Sequence, residues 1–330
     1  MRKKLLKKLR WGVAGCGRIT ENSFLPAVNQ LKRSSLVAVY SRNKKRAAEI
    51  ASKSVSAKPF DDYDKFLAED FDAVYIASAN DDHYEQVIKA AKAGKHILCE
   101  KPLALTSVQA EEMVRVCKEN GVKLAVNYVF RFHPLLRKAK ELIDVRFIGQ
   151  IVSISANFHI NFPPSDNYRY SKAKGGGALR DLGTHMIDVL RYLGGEFAEV
   201  HGYVDKIVYK TEVDDFAGGI VKFENGFYGG FQVSFNAMRA PNRIVIIGHK
   251  GTISIEELIG RKFGISKLII DIEGERKKVF RRKSNKFLIM LRSVQKSFLK
   301  NETPFVTGED GAINMKIIEQ IEKQSGFANE

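Results

Sequence analysis

Short apolar runs alternate with amphipathic segments over the first 127 residues of the chain. The apolar runs are Trp11–Ala14, Leu36–Tyr40, Ala73–Ala77, His96–Cys99 and Lys123–Val126. Between the later runs, Tyr84–Ala93 and Ser107–Asn120 carry apolar residues at helical spacing. Strands that alternate with helices are typical of βαβ units and a parallel sheet. The pattern predicts an α/β domain with a doubly wound parallel sheet, a Rossmann fold, over residues 1–127.

The apolar pattern changes after Asn127. The next candidate strands are longer and alternate apolar with polar residues, which is typical of antiparallel sheets with one solvated face. They are Gln150–Phe158, Val200–Tyr209, Phe216–Glu224, Gly226–Phe235 and Ile244–Ile247, and the candidate helices are Pro134–Asp144, Gly177–Leu193, Lys286–Lys300 and Gly311–Lys323. Asn225-Gly226 is a strong hairpin signal. The pattern predicts an α+β domain over residues 128–330, with a large, mostly antiparallel open sheet.

Composition limits the classes of protein to which the chain can belong. Its 330 residues are 44% hydrophobic and 28% charged, enough to bury a core in each of two domains. No apolar stretch reaches the roughly 18 to 20 residues that span a bilayer, and the basic N-terminus lacks the apolar region of a signal peptide. Cys16, Cys99 and Cys117 lack the spacing of a disulfide framework or a zinc site. We therefore expect a cytoplasmic protein with no membrane contact.

The net charge of +16 is concentrated in two basic clusters, Arg2–Arg10 and Arg276–Lys286. Clustered basic residues can bind phosphate backbones. Neither cluster lies in a helix-turn-helix, zinc-finger or RNA-binding pattern, so no nucleic-acid partner is predicted. A solvated surface is the main interpretation, and attraction of an anionic substrate or of a membrane surface stays open.

A glycine-rich loop, Gly15-Cys16-Gly17, follows the first candidate strand and precedes a helix. Free backbone N–H groups at the positive end of a helix can hold a dinucleotide pyrophosphate. Gly15 would permit the tight turn, and Gly17 would let phosphate approach the backbone. Thr20 takes the third fingerprint position, normally Gly or Ala, and Pro26 interrupts the helix soon afterwards. A plain strand-turn-helix is the alternative, but the βαβ context favours a dinucleotide site.

The end of the second candidate strand bears on the choice of dinucleotide. An acidic residue there would bind the ribose 2′-OH of NAD, whereas an arginine pairs with the 2′-phosphate of NADP. The chain has Ser41-Arg42 at this point, followed by three more basic residues. NADP is therefore slightly favoured over NAD, and a solvated basic helix start is the alternative interpretation.

Two further motifs give the chain a resemblance to a known family. They are Ala77-Ser78-Ala79-Asn80 with His83, and Gly94-Lys95-His96-Ile97-Leu98-Cys99-Glu100-Lys101-Pro102. Both resemble the Gfo/Idh/MocA family of glucose–fructose oxidoreductase and inositol dehydrogenase, in which Glu-Lys-Pro closes a strand at the carboxyl edge of the sheet. The resemblance continues through Asn127–Pro134, Gly175–His185 with Asp188, and Val306–Gly311. The departures are Ala79, where the family often has Pro, and Thr20.

The resemblance implies a nicotinamide cofactor and a sugar-like substrate. With the glycine loop and the Ser41-Arg42 pair, the predicted cofactor contacts are Gly15, Cys16, Gly17, Arg18, Ile19, Ser41, Arg42, Ser78, Asn80, His83, Glu100, Lys101 and Asn127. For His83, simple capping of the next helix is an alternative. Because one face of an open sheet would otherwise stay wet, a homo-oligomer, dimer or tetramer, is also predicted.

Lys101, Asp181 and His185 are the candidate catalytic residues. Asp181 and His185 are four apart in a predicted helix, so they share a face, and Asp188 continues that face. An imidazole with a pKa of about 6.5 beside a carboxylate can act as acid and base, and Lys101 can stabilise an alkoxide. The resemblance implies the same assignment. Surface charges are the alternative, and no metal is predicted because no third ligand is placed beside Asp181 and His185.

We therefore predict an NAD(P)-dependent oxidoreductase that acts on CH–OH groups of a sugar, a polyol or a sugar nucleotide. The positive charge slightly favours an anionic substrate. The alternative is a non-catalytic NAD(P)-binding sensor or partner protein of the same fold. Such a protein needs the glycine loop but none of the acid and base residues, so the presence of all three argues against it.

Overall fold

A computed structural model of the chain describes residues 8–259 and 264–327. They form two compact units. Unit 1 contains the described residues up to Asn127 together with Phe287–Ile313, and unit 2 contains Tyr128–Lys286 and the described residues from Asn314 onwards. The predicted second domain, in contrast, ran without interruption over residues 128–330. The basic cluster Arg2–Arg10 lies outside the described residues up to position 7.

Unit 1 is built on a six-stranded sheet whose paired strands are all parallel. The strands are β1 (Leu9–Ala14), β2 (Ser34–Tyr40), β3 (Lys58–Phe60), β4 (Ala73–Ile76), β5 (His96–Cys99) and β6 (Leu124–Val126), in the order β3-β2-β1-β4-β5-β6. The connecting helices are α1 (Leu25–Gln30), α2 (Lys44–Ala51), α3 (Tyr63–Leu67), α4 (His83–Lys92) and α5 (Ser107–Glu119). This is the predicted doubly wound fold. Its topological switch point lies between β1 and β4, where such sheets bind ligands beyond the carboxyl ends of the strands.

The segment Phe287–Ile313 belongs to unit 1 because an apolar helix face packs there. Helix α8 (Lys286–Lys300) places Phe298 against Trp11, with ring centroids 5.9 Å apart, and Phe287 against Tyr75 at 6.0 Å. Trp11 and Tyr75 are among the largest fully buried side chains. The apolar stripe of α8 is visible in the sequence, but its packing partner in the first sheet is not.

Unit 2 is built on an eight-stranded sheet. Its strands are β7 (Ile151–His159), β8 (Phe197–Asp205), β9 (Phe216–Phe223), β10 (Tyr228–Ser234), β11 (Arg243–Gly248), β12 (Gly251–Glu256), β13 (Ile265–Ile272) and β14 (Lys278–Lys283), in the order β14-β13-β12-β11-β7-β10-β9-β8. Among the strand pairs that the structure describes, only β7 and β10 are parallel, so the sheet is mostly antiparallel as predicted. The predicted hairpin turn joins β9 to β10, with Gly226 at φ +88°.

Helices cover one face of this second sheet. They include α6 (Pro134–Asp144), which packs near β12 to β14, and α7 (Thr184–Gly194), which packs on β7 and β10. The strands alternate accordingly: along β8, Val200 and Val204 are buried, whereas His201 and Tyr203 are exposed. Helix α9 (Gly308–Gln324) begins in unit 1 and ends in unit 2.

Candidate cofactor and catalytic sites

The glycine loop of unit 1 begins with a residue that must be glycine. Gly15 has φ +99°, and a Cβ added to it would lie 2.4 Å from the Ala77 carbonyl and the Ser78 nitrogen. The loop after β1 therefore lies directly against the end of β4, at the topological switch point. Gly15 N–H also donates to the Tyr40 carbonyl at 3.0 Å, which ties the loop to β2.

The second glycine of the loop faces open space. A Cβ added to Gly17 would meet nothing within 4 Å, and helical residues begin immediately after it. This cradle fits the pyrophosphate of a dinucleotide, because phosphate oxygens can approach the backbone N–H groups of the helix start. Arg18 and Ile19, which are both predicted cofactor contacts, lie in the first turn of this helix.

Thr20, the departure from the glycine fingerprint, closes the loop. Its buried hydroxyl donates to the Gly15 carbonyl at 2.6 Å. Thr20–Phe24 is π-helical and leads into α1, so the residues from Arg18 to Gln30 stay helical through Pro26. The predicted interruption at Pro26 is therefore wrong, because the π-helical turn precedes the proline and α1 continues beyond it.

The basic residues behind β2 have different partners. Arg46 donates from Nε to the Cys16 carbonyl at 3.0 Å and pairs with Glu21 and Glu49 at 2.6 Å, so it supports the glycine loop. Arg42 is 69% exposed, and its guanidinium lies 3.1 Å from an Asp82 carboxylate oxygen. The Ser41 hydroxyl accepts a hydrogen bond from the backbone N–H of Asn43. Arg42 therefore remains the residue whose guanidinium is accessible to a 2′-phosphate.

Burial keeps the Cys16 thiol protonated. Loss of solvent raises the pKa of Cys16 to about 11, although the Arg46 charge opposes this shift. The thiol also donates weakly to the Tyr40 carbonyl. Cys16 is therefore a packing residue of the loop rather than a nucleophile.

The two motifs that carry the family resemblance meet through His83. Its imidazole is fully buried, and Nδ1 lies 3.0 Å from the Pro102 carbonyl. Burial lowers the pKa of His83, so the ring is neutral. Ser78, from the same motif, donates to Gln86 at 2.8 Å. The His83 bond ties the first motif to the Lys101–Pro102 peptide and gives His83 a positioning function that the sequence analysis did not identify.

Glu100 is held by two neighbouring strands. One carboxylate oxygen accepts hydrogen bonds from the Tyr75 hydroxyl and the Asn127 amide, and the other accepts from the Lys101 backbone N–H at 3.3 Å. The buried Oδ1 of Asn127 has no hydrogen-bond partner among the residues that the structure describes. An acceptor left over at this edge fits a hydroxyl or amide donor of a bound dinucleotide.

Unit 1 thus brings most of the predicted cofactor contacts to one edge of its sheet. Gly15, Ser78, Glu100 and Asn127 follow the carboxyl ends of four strands, β1, β4, β5 and β6. Asn80 is the first residue of a short helical turn before α4, and its side chain is buried. Lys101 directly follows Glu100 and is partly exposed.

The catalytic candidates of unit 2 lie in a helix that begins irregularly. Leu179–Gly183, which contains Asp181, is π-helical, and α7 with His185 follows it. The prediction of one regular helix from Gly177 is therefore wrong at its start, and the spacing rule of an α-helix does not apply across this turn. Asp181 accepts a hydrogen bond from Nε of Arg169 at 2.8 Å. Nothing in the sequence pattern indicated this partner.

His185 lies among aromatic rings. The imidazole meets the ring of Phe130 edge-on, with centroids 4.9 Å apart, and lies 6.2 Å from Tyr128 and 6.4 Å from Phe158. Tyr128 is itself fixed by a 2.8 Å hydrogen bond to Thr184. The aromatic wall holds a partly exposed imidazole in a defined orientation.

Asp188 is structural. Its buried carboxylate forms a two-bond ion pair with Arg131, at 2.9 and 2.6 Å, and accepts from Asn314 at 3.3 Å. Asp188 lies three residues after His185 in α7, but its carboxylate is taken up by this ion pair. Arg131, from the motif Asn127–Pro134, is the other member of this buried pair.

The glycines before this helix accommodate protein atoms. A Cβ on Gly176 would lie 2.3 Å from the Arg169 carbonyl, and one on Gly177, which has φ +106°, would lie 1.9 Å from Oδ1 of Asp214. Asp214 accepts the N–H of Leu179 through its carboxylate at 2.7 Å and the N–H of Ala178 through its carbonyl. A buried aspartate therefore fills the space beside Gly177 and caps the helix start.

Lys286, which the sequence places in a basic cluster, lies near the aromatic wall. Its ammonium is 5.1 Å from the centre of the Phe130 ring. Burial lowers the pKa of Lys286 to about 8, and burial together with the Lys286 charge lowers the pKa of His133 to about 4. The residues of the same cluster that lie in β14 are exposed, as expected of a solvated basic surface.

The described part of the chain offers neither a metal site nor a membrane-spanning helix. Over residues 8–259 and 264–327, no group of three or more His, Cys, Asp or Glu side chains could hold a metal ion. Within the same ranges, the helices are all too short or too polar to cross a membrane.

Comparisons with known proteins match both halves of the chain. Residues 9–128 match the oxidoreductase family with an NAD-binding Rossmann fold, and residues 136–254 match the GFO/IDH/MocA C-terminal domain. A D-xylose 1-dehydrogenase (NADP⁺) of Haloferax volcanii is 30% identical over 230 residues, covering 69% of this chain and 70% of that protein. The trans-1,2-dihydrobenzene-1,2-diol dehydrogenase of Mus musculus is 30% identical over 277 residues, covering 82% and 79%.

A solved structure extends the match over nearly the whole chain. The 3-ketoreductase of Actinomadura kijaniata, in complex with NADP and TDP-benzene, superposes with a TM-score of 0.86 at 25% identity and covers 96% of this chain and 98% of that one. The resemblance drawn from the sequence motifs is thereby confirmed. The chain belongs to the GFO/IDH/MocA family and is an NAD(P)-dependent oxidoreductase.

Proposed function

We propose that the protein transfers a hydride between NADP and the alcohol or ketone group of a sugar, a polyol or a sugar nucleotide. The relatives support this substrate class, since they include the xylose dehydrogenase, a 1,5-anhydro-D-fructose reductase of Ensifer adhaerens and a dTDP-sugar 3-reductase of Actinomadura kijaniata. The observation that carries the proposal is at the carboxyl edge of the sheet in unit 1. There, hydrogen bonds from Tyr75 and Asn127 fix Glu100 immediately before Lys101.

The division of roles follows from the chemistry of the side chains. A bound nicotinamide supplies or accepts the hydride. Lys101 places its ammonium against the substrate oxygen and stabilises the negative charge that develops there. In the oxidative direction His185 accepts the hydroxyl proton, and the carboxylate of Asp181 orients and stabilises the imidazolium. The Arg169 bond fixes Asp181 for this task.

The cofactor preference rests on one side chain. Arg42 presents a largely exposed guanidinium after β2, and no carboxylate precedes it in that strand end. Relatives that use NADP support the same choice. The net charge of +16 favours encounter with anionic substrates such as sugar nucleotides.

A spectrophotometric assay tests the catalytic proposal. NADPH oxidation is followed over a panel of ketosugars and keto sugar nucleotides, and NADP⁺ reduction over aldoses and cyclic polyols. Lys101→Ala and His185→Ala should each lower kcat by about 10² or more, while cofactor affinity stays within a few-fold. Lys92→Ala and His249→Ala, at exposed positions of the same residue types, serve as controls with unchanged kcat.

Two results would contradict the catalytic proposal. Cofactor binding without turnover on every substrate would favour the non-catalytic sensor. A large loss of cofactor affinity in Lys101→Ala would make this lysine a cofactor anchor rather than a catalytic group.

The open face of the second sheet supports a homo-oligomer. Tyr203, Ile220 and Tyr228 project from it, being 78%, 66% and 54% exposed, and the register places Gly218 and Gly230 beside them. Protruding apolar side chains next to glycine depressions suit packing of two identical faces. Light scattering after size exclusion should show a dimer or tetramer that Ile220→Asp dissociates, whereas Val108→Asp, at an exposed position of α5, should not. A wild-type monomer at micromolar concentration would reject this assembly.

We also propose a cytoplasmic location. The three cysteines are buried and unpaired, which suits a reducing compartment. Cell fractionation with an antibody against the native protein tests this, and recovery in the secreted fraction would contradict it.

A further inference from the structure

The guanidinium of Arg42 already has an acidic partner within unit 1. Its Nη2 lies 3.1 Å from Oδ2 of Asp82, and the Asp82 side chain is only 22% exposed. Asp82 is the residue before α4, a position at which aspartate normally accepts backbone N–H bonds of the helix. Asp62 does so before α3, where it accepts from Asp64 and Lys65 at 2.9 Å. Asp82 makes no such bond, so its carboxylate serves Arg42 instead of the helix.

This ion pair acts differently on the two dinucleotides. A 2′-phosphate that pairs with Arg42 must draw the guanidinium away from Asp82 and approach a second, like-charged group. A ribose with a free 2′-OH carries no charge and leaves the pair intact. Burial already raises the pKa of Asp82, and Arg42 opposes that shift, so the carboxylate loses stabilisation when the arginine turns away.

We propose that Asp82 is a specificity-determining residue that weakens the preference for NADP set by Arg42 and thereby keeps NAD usable. The proposal rests on the assignment of Arg42 to the 2′-phosphate made above. Other carboxylates near this point do not compete for the same role. Asp61 pairs with Lys44 and Glu85 pairs with Lys89, while Asp81 is exposed and has no ion pair among the described residues.

The alternative hypothesis is that Asp82 strengthens the preference for NADP. An aspartate that holds Arg42 in the pose required by the phosphate would strengthen the preference for NADP. The two roles predict opposite signs for the same substitution, so one variant decides between them.

The test compares Asp82→Asn, Arg42→Ala and the control Asp81→Asn with the wild type. Asparagine has the shape of aspartate and can cap α4, which protects the fold. Two quantities are measured: the ratio of kcat/KM for NADP to that for NAD, and the calorimetric affinity for 2′,5′-ADP relative to ADP. Asp82→Asn should raise both ratios about two- to fivefold, the scale of one partly exposed charge pair, with the values for NAD and ADP unchanged. Asp81→Asn should leave both ratios unchanged.

The outcomes separate this inference from the proposal on which it rests. If Arg42→Ala lowers both ratios but Asp82→Asn lowers them or leaves them unchanged, Arg42 binds the phosphate and the role given to Asp82 is wrong. If Arg42→Ala leaves both ratios unchanged, the phosphate assignment itself is wrong, and the role of Asp82 is overturned with it.

Discussion

The glycine-rich loops at residues 15–17 and 175–177 both precede helical segments that begin with a π-helical turn, but different atoms lie next to their backbones. After β1, the space over Gly17 is open. Before α7, the space over Gly177 is filled by the carboxylate of Asp214, and that over Gly176 by the carbonyl of Arg169. The first loop leaves space for a ligand, whereas in the second loop other atoms of the protein fill the corresponding space.

This difference shows that glycine content alone does not identify a phosphate site. Glycine permits a close approach, and only the three-dimensional structure shows what approaches. At the second loop, Asp214 satisfies the backbone N–H groups of Ala178 and Leu179 that a phosphate could otherwise have bound. A buried aspartate therefore takes the anion position in the second loop, and positions the helix that carries Asp181 and His185.

Gly177→Ala should have the largest effect on stability. The new Cβ would lie 1.9 Å from Oδ1 of buried Asp214, and the backbone has φ +106°. Backbone strain together with a displaced, hydrogen-bonded carboxylate should cost about 3 kcal/mol or more in the free energy of unfolding. Gly274→Ala is the matched control, because Gly274 has φ +77° with nothing within 4 Å of an added Cβ. Urea unfolding should give about 1 kcal/mol for the control, and equal losses would mean that Asp214 does not fill the loop.

Asp214 should also make the stability depend on pH. Burial raises its pKa from the ordinary value of 3.8 to about 7, against the opposing effect of the Leu179 N–H bond. Between about pH 4 and pH 7 the native protein therefore holds a proton that the unfolded chain has released, so the free energy of unfolding falls as pH rises through this window. From pH 5 to pH 8 this contribution is roughly 2 to 3 kcal/mol.

Asp214→Asn isolates that contribution, because asparagine cannot titrate and still offers an oxygen to Leu179. Urea unfolding of both proteins at pH 5, 6, 7 and 8 should show the wild type losing stability relative to the variant as pH rises. Parallel curves for the two proteins would show that Asp214 does not titrate in this range.

The sequence is informative where local pattern decides the structure. The buried runs β1, β4, β5 and β6 and the turn at Asn225-Gly226 all follow from apolar periodicity and turn chemistry. The strands β12 and β13 are not predicted, although part of each is buried. The strands β3 and β14 are not predicted either, since β3 is mostly exposed and β14 is exposed along its whole length. Such strands owe their place to pairing with neighbours rather than to burial of their own side chains.

Long-range partners are the part that the sequence does not disclose. The motifs containing Ser78, Lys101 and His185 can be read directly, but the bonds from His83 to Pro102 and from Arg169 to Asp181 join residues 19 and 12 positions apart. Asp188 illustrates the limit most clearly. It stands at helical spacing from the catalytic candidates, and only the three-dimensional structure shows that its carboxylate pairs with Arg131.

Gly17→Ala should have the smallest effect on the fold and a selective effect on the cofactor. The new Cβ meets no protein atom within 4 Å, so the free energy of unfolding should change by less than about 0.5 kcal/mol. The same methyl group occupies the space required by the pyrophosphate, so calorimetry should show affinity for NADP reduced about tenfold, or 1.4 kcal/mol.

Gly121→Ala provides the opposite pattern. Gly121 has φ +66° at the end of α5 and is also open to solvent, so alanine there should cost about 1 kcal/mol of stability and leave NADP affinity unchanged. The two variants distinguish a glycine required by its backbone conformation, Gly121, from a glycine required for cofactor binding, Gly17. If Gly17→Ala bound NADP as tightly as the wild type, the open space over Gly17 would not be the site of the pyrophosphate.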